Sequence, residues 1–359
     1  MKKFIDNTKT LKRHIFRLSS PRKSRFNKIR LDKNERFDSH KSIFFKKLVS
    51  NFTNEIISAY PEYYKAYELL SKSLGVRKKN LLFTAGSDQA LRNTFELYYK
   101  KNKKVITINP TFAMVDIYCK IFKTKQIKIG YNNELKLNLS YLLSSIDKNT
   151  SLIVIANPNS PTGTILDNKS IEKILIKARK FRVKVLIDEA YYEFSKYNCL
   201  NKIKKYNNLI IIRTFSKIFG LAGLRCGYVV SNSTTIKEYN AIKPMYEINS
   251  IAVKAIELML SNKRIINLYL KELREGEKYA QEFCKKNNYT FIKCHANFFH
   301  VSFKYDPLKI QKFLDVNNIL IKGGPGTNAH KNFLRISFAN KPTIKKTLKL
   351  IKSFLDKKR

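Results

Sequence analysis

Between residues 80 and 230 the chain alternates short β-branched runs with longer helical patterns, and this alternation narrows the possible folds more than any other feature. The runs are 81–84, 105–108, 152–156, 183–187 and 209–213. They are rich in Ile, Val and Leu, as strands buried on both faces of a sheet should be. They predict an α/β large domain with a mainly parallel sheet flanked by helices. The residues just past each run are equally informative. The first leads into Ala85-Gly86-Ser87-Asp88, opening a helix, and the second into Asn109-Pro110-Thr111-Phe112. The third leads into Asn157-Pro158-Asn159-Ser160-Pro161-Thr162-Gly163, the fourth into Asp188-Glu189-Ala190-Tyr191, and the fifth ends at Lys217. Ligands of open α/β sheets bind outside the carboxyl ends of the strands. The five runs therefore aim polar and aromatic groups at one crevice.

Past residue 246 the pattern changes. A long helical stretch over 250–288 precedes strands at 298–303 and 333–338, a helix over 308–317 and a final amphipathic helix. These predict a smaller α+β domain. The expected organisation is an arm at 1–50 packed on the small domain, a large domain at 51–245, and the small domain at 246–359. No internal repeat or Ser/Gly linker interrupts it.

At 359 residues the chain can bury a large core. Its 43% hydrophobic and 12% aromatic content is that of a globular protein. No apolar run approaches the ~18 residues of a membrane span, and Asp6, Asn7 and Lys9 interrupt any secretory core. The five cysteines lack metal or disulfide spacing. The expectation is a reduced, cytoplasmic, metal-free protein. The formal net charge is +44, which alone suggests a polyanionic partner. However, the excess is mostly Lys, arrives with abundant Ile and Asn throughout, and matches the coding bias of an A+T-rich genome. Its densest stretch, 7–31, holds nine Lys/Arg and no acid. It reads as a solvated basic arm, with neither specific nucleic acid nor membrane expected as a partner. The bias elsewhere argues against a transit peptide.

Lys217 stands just past an apolar strand, with Arg225 eight residues on, across Gly220-Leu221-Ala222-Gly223. A lysine amine forms a Schiff base with a carbonyl compound when site and partner are fixed. A pyridoxal phosphate site needs such a lysine and a carboxylate against the pyridine nitrogen. It also needs a phosphate anchor of helix N–H groups, hydroxyls and an arginine, and an aromatic ring on the cofactor face. Lys217 and Asp188 can supply the first two. Gly86, Ser87, Asp88, Ser216 and Arg225 can form the anchor. Tyr191 can donate to the cofactor phenolate, and Phe112 can stack on its ring.

At these residues the chain resembles the fold-type-I pyridoxal-phosphate aminotransferases, in their histidinol-phosphate aminotransferase-like branch. The resemblance rests on 157–163, on Asp188-Glu189-Ala190-Tyr191-Tyr192-Glu193-Phe194, on 213–228, and on Leu334-Arg335-Ile336-Ser337. Leu31-Asp32-Lys33-Asn34-Glu35 and Ala59-Tyr60-Pro61 add N-terminal signatures, and the match spans roughly residues 30–355. It implies transamination between an amino donor and a keto or aldehyde acceptor. Lys217 would be the Schiff-base lysine and proton shuttle, Asp188 the partner of the pyridine nitrogen, and Tyr191 that of the phenolic oxygen. Ser87, Asp88, Ser216 and Arg225 would surround the phosphate. Tyr60 would reach it from the partner subunit of a homodimer. Arg335 would bind the substrate's acidic group, with Asn297 nearby. Three positions depart from the pattern. Ser160 stands where the family usually has Asn against the phenolate, with Asn157 and Asn159 close by as substitutes. Phe112 stands where Tyr is common. Lys322 replaces a second phosphate-binding Arg, keeping charge but losing bidentate geometry. The same site would also suit a decarboxylase of a phosphorylated amino acid. A basic nucleic-acid-binding regulator is disfavoured, because about thirty residues before the match are too few for a helix-turn-helix module.

Overall fold

The computed structural model describes residues 25–40 and 42–358. Residues 7–24 of the basic stretch lie outside them. After a short strand β1 (Ile29–Arg30), seven strands build the large sheet: β2 (Leu81–Thr84), β3 (Lys104–Asn109), β4 (Lys125–Gly130), β5 (Thr150–Ala156), β6 (Lys184–Asp188), β7 (Leu209–Thr214) and β8 (Gly227–Ser231). Their spatial order is β2-β8-β7-β6-β5-β3-β4. Only β8 runs antiparallel to its neighbours, and the remaining pairs are parallel. The five runs expected from the sequence are β2, β3, β5, β6 and β7.

Strand side chains alternate between faces, and both faces are buried. Ile106, Ile153, Ile155, Val185, Ile187 and Ile211 join one apolar cluster. Their neighbours Val105, Leu152, Val154, Leu186, Ile210 and Ile212 join another. Burying each such side chain contributes about 1.5–3 kcal/mol, so the strands have no slack in register. Flanking helices complete the layers. Helix Asn168–Lys180 turns Ile171, Ile174, Leu175 and Ala178 inward at helical spacing. Its N-terminus is capped by Asp167, whose carboxylate accepts from the Ser170 N–H at 2.7 Å. On the other face, helix Gly86–Tyr98 buries Ala90, Leu91 and Phe95.

The second sheet holds β9 (Thr290–Ala296), β10 (Phe298–Ser302), β12 (Lys322–Gly323) and β13 (Leu334–Ser337), in the order β12-β13-β10-β9 and wholly antiparallel. Between them, β11 (Ile319–Leu320) pairs in parallel with β1, which ties the arm to this part of the molecule. The stretch 250–288 is not one helix. Asn262, at φ −126° and ψ 59°, divides it into Ser250–Ser261 and Lys263–Lys286. The first piece packs against helix Tyr64–Leu74. In the second, a Cβ on Gly276 would lie 1.9 Å from the Ala339 carbonyl oxygen, so only glycine permits this approach.

Beneath the site sits a buried ion pair. Glu189 Oε2 accepts from Arg213 Nε at 2.9 Å and from its terminal nitrogen at 2.7 Å, and the guanidinium lies 3.6 Å from the Tyr192 ring centre. Removing one member of such a pair strands the other charge, at about 3–5 kcal/mol. Arg213→Met should therefore lower stability by about that much, and adding Glu189→Met should recover most of the loss. Urea denaturation of the two variants checks this; equal loss in both would contradict it.

Candidate active site

Five strands of the large sheet end on one cavity of about 320 Å³. Ser87 and Asp88 enter it after β2, Phe112 after β3, Ser160 after β5, Asp188 and Tyr191 at and after β6, and Ser216, Lys217 and Arg225 after β7. Lys33 and Glu35 of the arm close one side.

One end of the cavity is built for an anion. Helix Gly86–Tyr98 begins there, and the first N–H groups of a helix have no partner within it. Gly86 has φ +82°, and a Cβ on it would lie 2.9 Å from an Arg225 terminal nitrogen. The guanidinium thus occupies the space a side chain would need. Arg225 itself is held at φ +51°, a left-handed conformation uncommon for non-glycine residues and often found at functional sites. Ser216 Oγ accepts from the Thr214 hydroxyl at 2.9 Å, which leaves its own proton to donate. Tyr118 donates to Asp88 at 3.2 Å. Burial pushes the Asp88 carboxyl up, against the opposing pull of Tyr118 and Arg225.

The other end is built for a cation. Asp188, the last residue of β6, is 8% exposed. Burial pushes its carboxyl up to about 7, although the Ala190 N–H and Lys217 favour the charged form. A proton held on a neighbouring ring nitrogen would offset that desolvation. Tyr191 is also buried and packs edge-on to Phe298. Burial raises its phenol, but Lys217 and Arg335, with Asn34 and Ser160, outweigh it and bring the pKa below the ordinary phenol value. Lys217 Nζ lies 5.3 Å from the Tyr191 ring centre and donates to the Lys33 carbonyl at 3.3 Å. These residues fit pyridoxal phosphate: a phosphate cradle that a Cβ would fill, an amine between, and a desolvated carboxyl opposite.

Other expected site residues lie elsewhere. Asn159 is turned out of the cavity: its amide donates to the Pro110 carbonyl and the Thr162 hydroxyl and accepts from Thr111. Asn157 is committed to the Leu166 backbone through both amide atoms. Of the three candidates beside the phenolate, Ser160 alone lines the cavity. Arg335 lies behind it, 9% exposed, donating to Ser160 Oγ at 3.4 Å and the Asp32 carbonyl at 2.7 Å, with Nε unpartnered. Lys322 is exposed, directly across the β12–β13 ladder from Arg335. Asn297 does not reach the cavity; its amide donates to the Asn34 carbonyl at 2.9 Å. Tyr60 is 74% exposed, stacked on Tyr246 outside the chain's own cavity. Two contributors lie inside the quoted segments but received no role from the sequence: Asn34, which donates to Tyr191, and the Glu189–Arg213 pair beside Asp188. A lone arginine closing a run of three isoleucines, in a strand buried throughout, is the signal that could have exposed the pair.

Comparison with known proteins gives the family and the fold. The family model for aminotransferases of class I and II matches residues 42–352. The histidinol-phosphate aminotransferase of Caldanaerobacter subterraneus subsp. tengcongensis is 32% identical over 280 residues, covering 77% of this chain and 78% of its own. Among solved structures, the histidinol-phosphate aminotransferase from Clostridium acetobutylicum superposes with a TM-score of 0.81 at 21% identity, covering 92% of this chain and 99% of its own. The Sinorhizobium meliloti enzyme of that name, in complex with pyridoxal-5'-phosphate, gives 0.78 at 21%, covering 90% and 91%. This chain belongs to the class I and II aminotransferases, and it is a fold-type-I, pyridoxal-phosphate-dependent aminotransferase.

Proposed function

We propose that the cavity binds pyridoxal phosphate through Lys217, Asp188 and the Gly86–Arg225 cradle. It would transfer an amino group from a small acidic or phosphorylated amine, of the histidinol phosphate kind, to a keto or aldehyde acceptor. The observation that carries this reading is the meeting of Lys217, Asp188 and Tyr191 in the cavity that ends at the helix N-terminus. Bound pyridoxal phosphate supplies an aldehyde that takes up the amino group and a ring that accepts the negative charge left at the substrate Cα.

Each residue has a part set by its chemistry. Gly86, Ser87, Ser216 and Arg225 hold the phosphate, with Asp88 supporting Arg225. Asp188 keeps the proton on the pyridine nitrogen, and the charge interaction draws its own carboxyl back to the ionised form. Tyr191 and Ser160 hold the phenolic oxygen, and Phe112 covers one ring face. Lys217 would hold the cofactor aldehyde through Nζ and, once released by the substrate amine, would serve as the base that takes the substrate Cα proton. Arg335 binds the substrate's acidic group, and Lys322 adds positive charge beside it. Asn297 acts at one remove, through Asn34. Ile57, Tyr60, Tyr64 and Met245, all more than 70% exposed, support a second copy of the chain on that face, with Tyr60 reaching the partner's phosphate. Five free, buried cysteines suit a reducing cytoplasm.

Three outcomes test this. Loaded with pyridoxal phosphate and given amino donors singly, the enzyme should change its visible absorbance with histidinol phosphate and with glutamate. Lys217→Ala should lower turnover by about 10²–10⁴; activity retained in that variant would contradict the reading, and CO₂ release without keto acid would favour a decarboxylase. Mixing inactive Lys217→Ala with a Tyr60→Ala variant should restore about a quarter of the activity if dimers exchange and each site borrows Tyr60 from its partner. No recovery despite confirmed exchange would place Tyr60 outside the partner's site. The third outcome concerns pH. Asp188 ionises in the unfolded chain near 3.8 but in the fold only at about 7. The folded state therefore binds the extra proton in between, and its contribution to apoprotein stability is lost as pH rises from about 4 to 7. Asp188→Asn should remove this part of the decline in thermal melts; an unchanged slope would contradict it.

A further inference from the structure

Asn34 is 2% exposed and lies where the arm meets both domains. Its Nδ2 donates to the Tyr191 hydroxyl oxygen at 3.0 Å. The backbone N–H of Asn34 donates to Ser337 Oγ at 3.1 Å, and that hydroxyl donates back to Asn34 Oδ1 at 2.8 Å. Asn297 holds the Asn34 carbonyl. The two residues before it also touch the site: the Lys33 carbonyl accepts from Lys217 and the Asp32 carbonyl from Arg335. Three consecutive residues of the arm thus each hold one side chain of the site.

We propose that Asn34 is a positioning residue for the reaction: its amide occupies the Tyr191 oxygen as donor, so the single phenol proton of Tyr191 is left for the cavity. A phenol has one proton and can also accept. An asparagine amide flipped by 180° would present Oδ1 instead, take the Tyr191 proton, and leave the cavity side with none. Ser337 opposes the flip. Its oxygen accepts from the Asn34 backbone and its proton is given to Oδ1, an arrangement that sets Nδ2 towards Tyr191 and that a flip would break. The arrangement matters in this chain because Ser160 gives the phenolate side a hydroxyl in place of an amide donor. The charged groups facing the phenol are Lys217 and Arg335, and neither fixes where its proton points. The inference rests on the proposed cofactor only in naming the phenolic oxygen as the recipient of that proton.

The test reads Tyr191 in the cofactor-free protein. With tyrosine carrying ¹³C at Cζ, one resonance among twenty is assigned by its loss in Tyr191→Phe and followed with pH. Removing a donor disfavours the phenolate, so Asn34→Ala should raise the Tyr191 titration by roughly half to one unit. Asn34→Asp should raise it further, because an isosteric acceptor also brings negative charge. Ser337→Ala, which keeps Asn34 but frees its amide to turn, should give a smaller rise in the same direction. In the loaded enzyme Asn34→Ala should lower kcat about tenfold with KM little changed. A Tyr191 titration unmoved in all three variants would overturn the proposal while leaving the transaminase reading intact. A shifted titration in a protein that binds no pyridoxal phosphate would instead overturn that reading, and with it the proposed recipient of the proton.

Discussion

A sheet buried on both faces leaves only its edges free to present polar groups, and the rest of this structure depends on that constraint. Ile153 and Val154, or Ile211 and Ile212, point to opposite apolar clusters and leave no room for a charge between them. Arg213, at the end of β7, stays charged in the interior because Glu189 meets it. Chemistry is therefore pushed to the first few residues past each strand. Asp188 closes β6, Gly86 lies two residues past β2 and Lys217 three past β7. A parallel arrangement puts all of these ends on one side.

The cavity they form is polar in a directed way. Arg225 and the opening turn of helix Gly86–Tyr98 attract an anion, while the desolvated Asp188 carboxyl calls for a cation. Lys217 and Tyr191 stand between, and the Lys217 charge helps bring the buried Tyr191 phenol below its ordinary value. A ligand with a phosphate at one end and a protonated ring nitrogen at the other satisfies both ends at once. The arm supplies the remaining wall, so the site is completed by residues far apart in the chain, Asn34 and Tyr191 among them.

Much of this is legible in the sequence, for physical reasons that also mark its limits. The central strands announce themselves because burial on both faces requires unbroken apolar runs. The sheet's outer strand does not: Lys125–Gly130 alternates lysine with isoleucine and glutamine, as suits an edge exposed to water. The antiparallel β8 hides behind the lysine–arginine segment, where Cys226-Gly227-Tyr228 reads as the end of a motif. The break at Asn262 carries no glycine or proline to mark it. Within the site, neighbouring residues point opposite ways, so Asn159 and Ser160 cannot be told apart until the loop is folded. Asn34 is harder still, since its partners lie 157 and 303 residues away.

The central claim is that one lysine, in a chain with 71 lysines and arginines, is placed to capture a carbonyl group. Borohydride reduction of the protein loaded with pyridoxal phosphate, followed by peptide mass mapping, tests it most directly. A single pyridoxyl group on Lys217 is the predicted result. Label on another lysine, or scattered over many, would contradict the account.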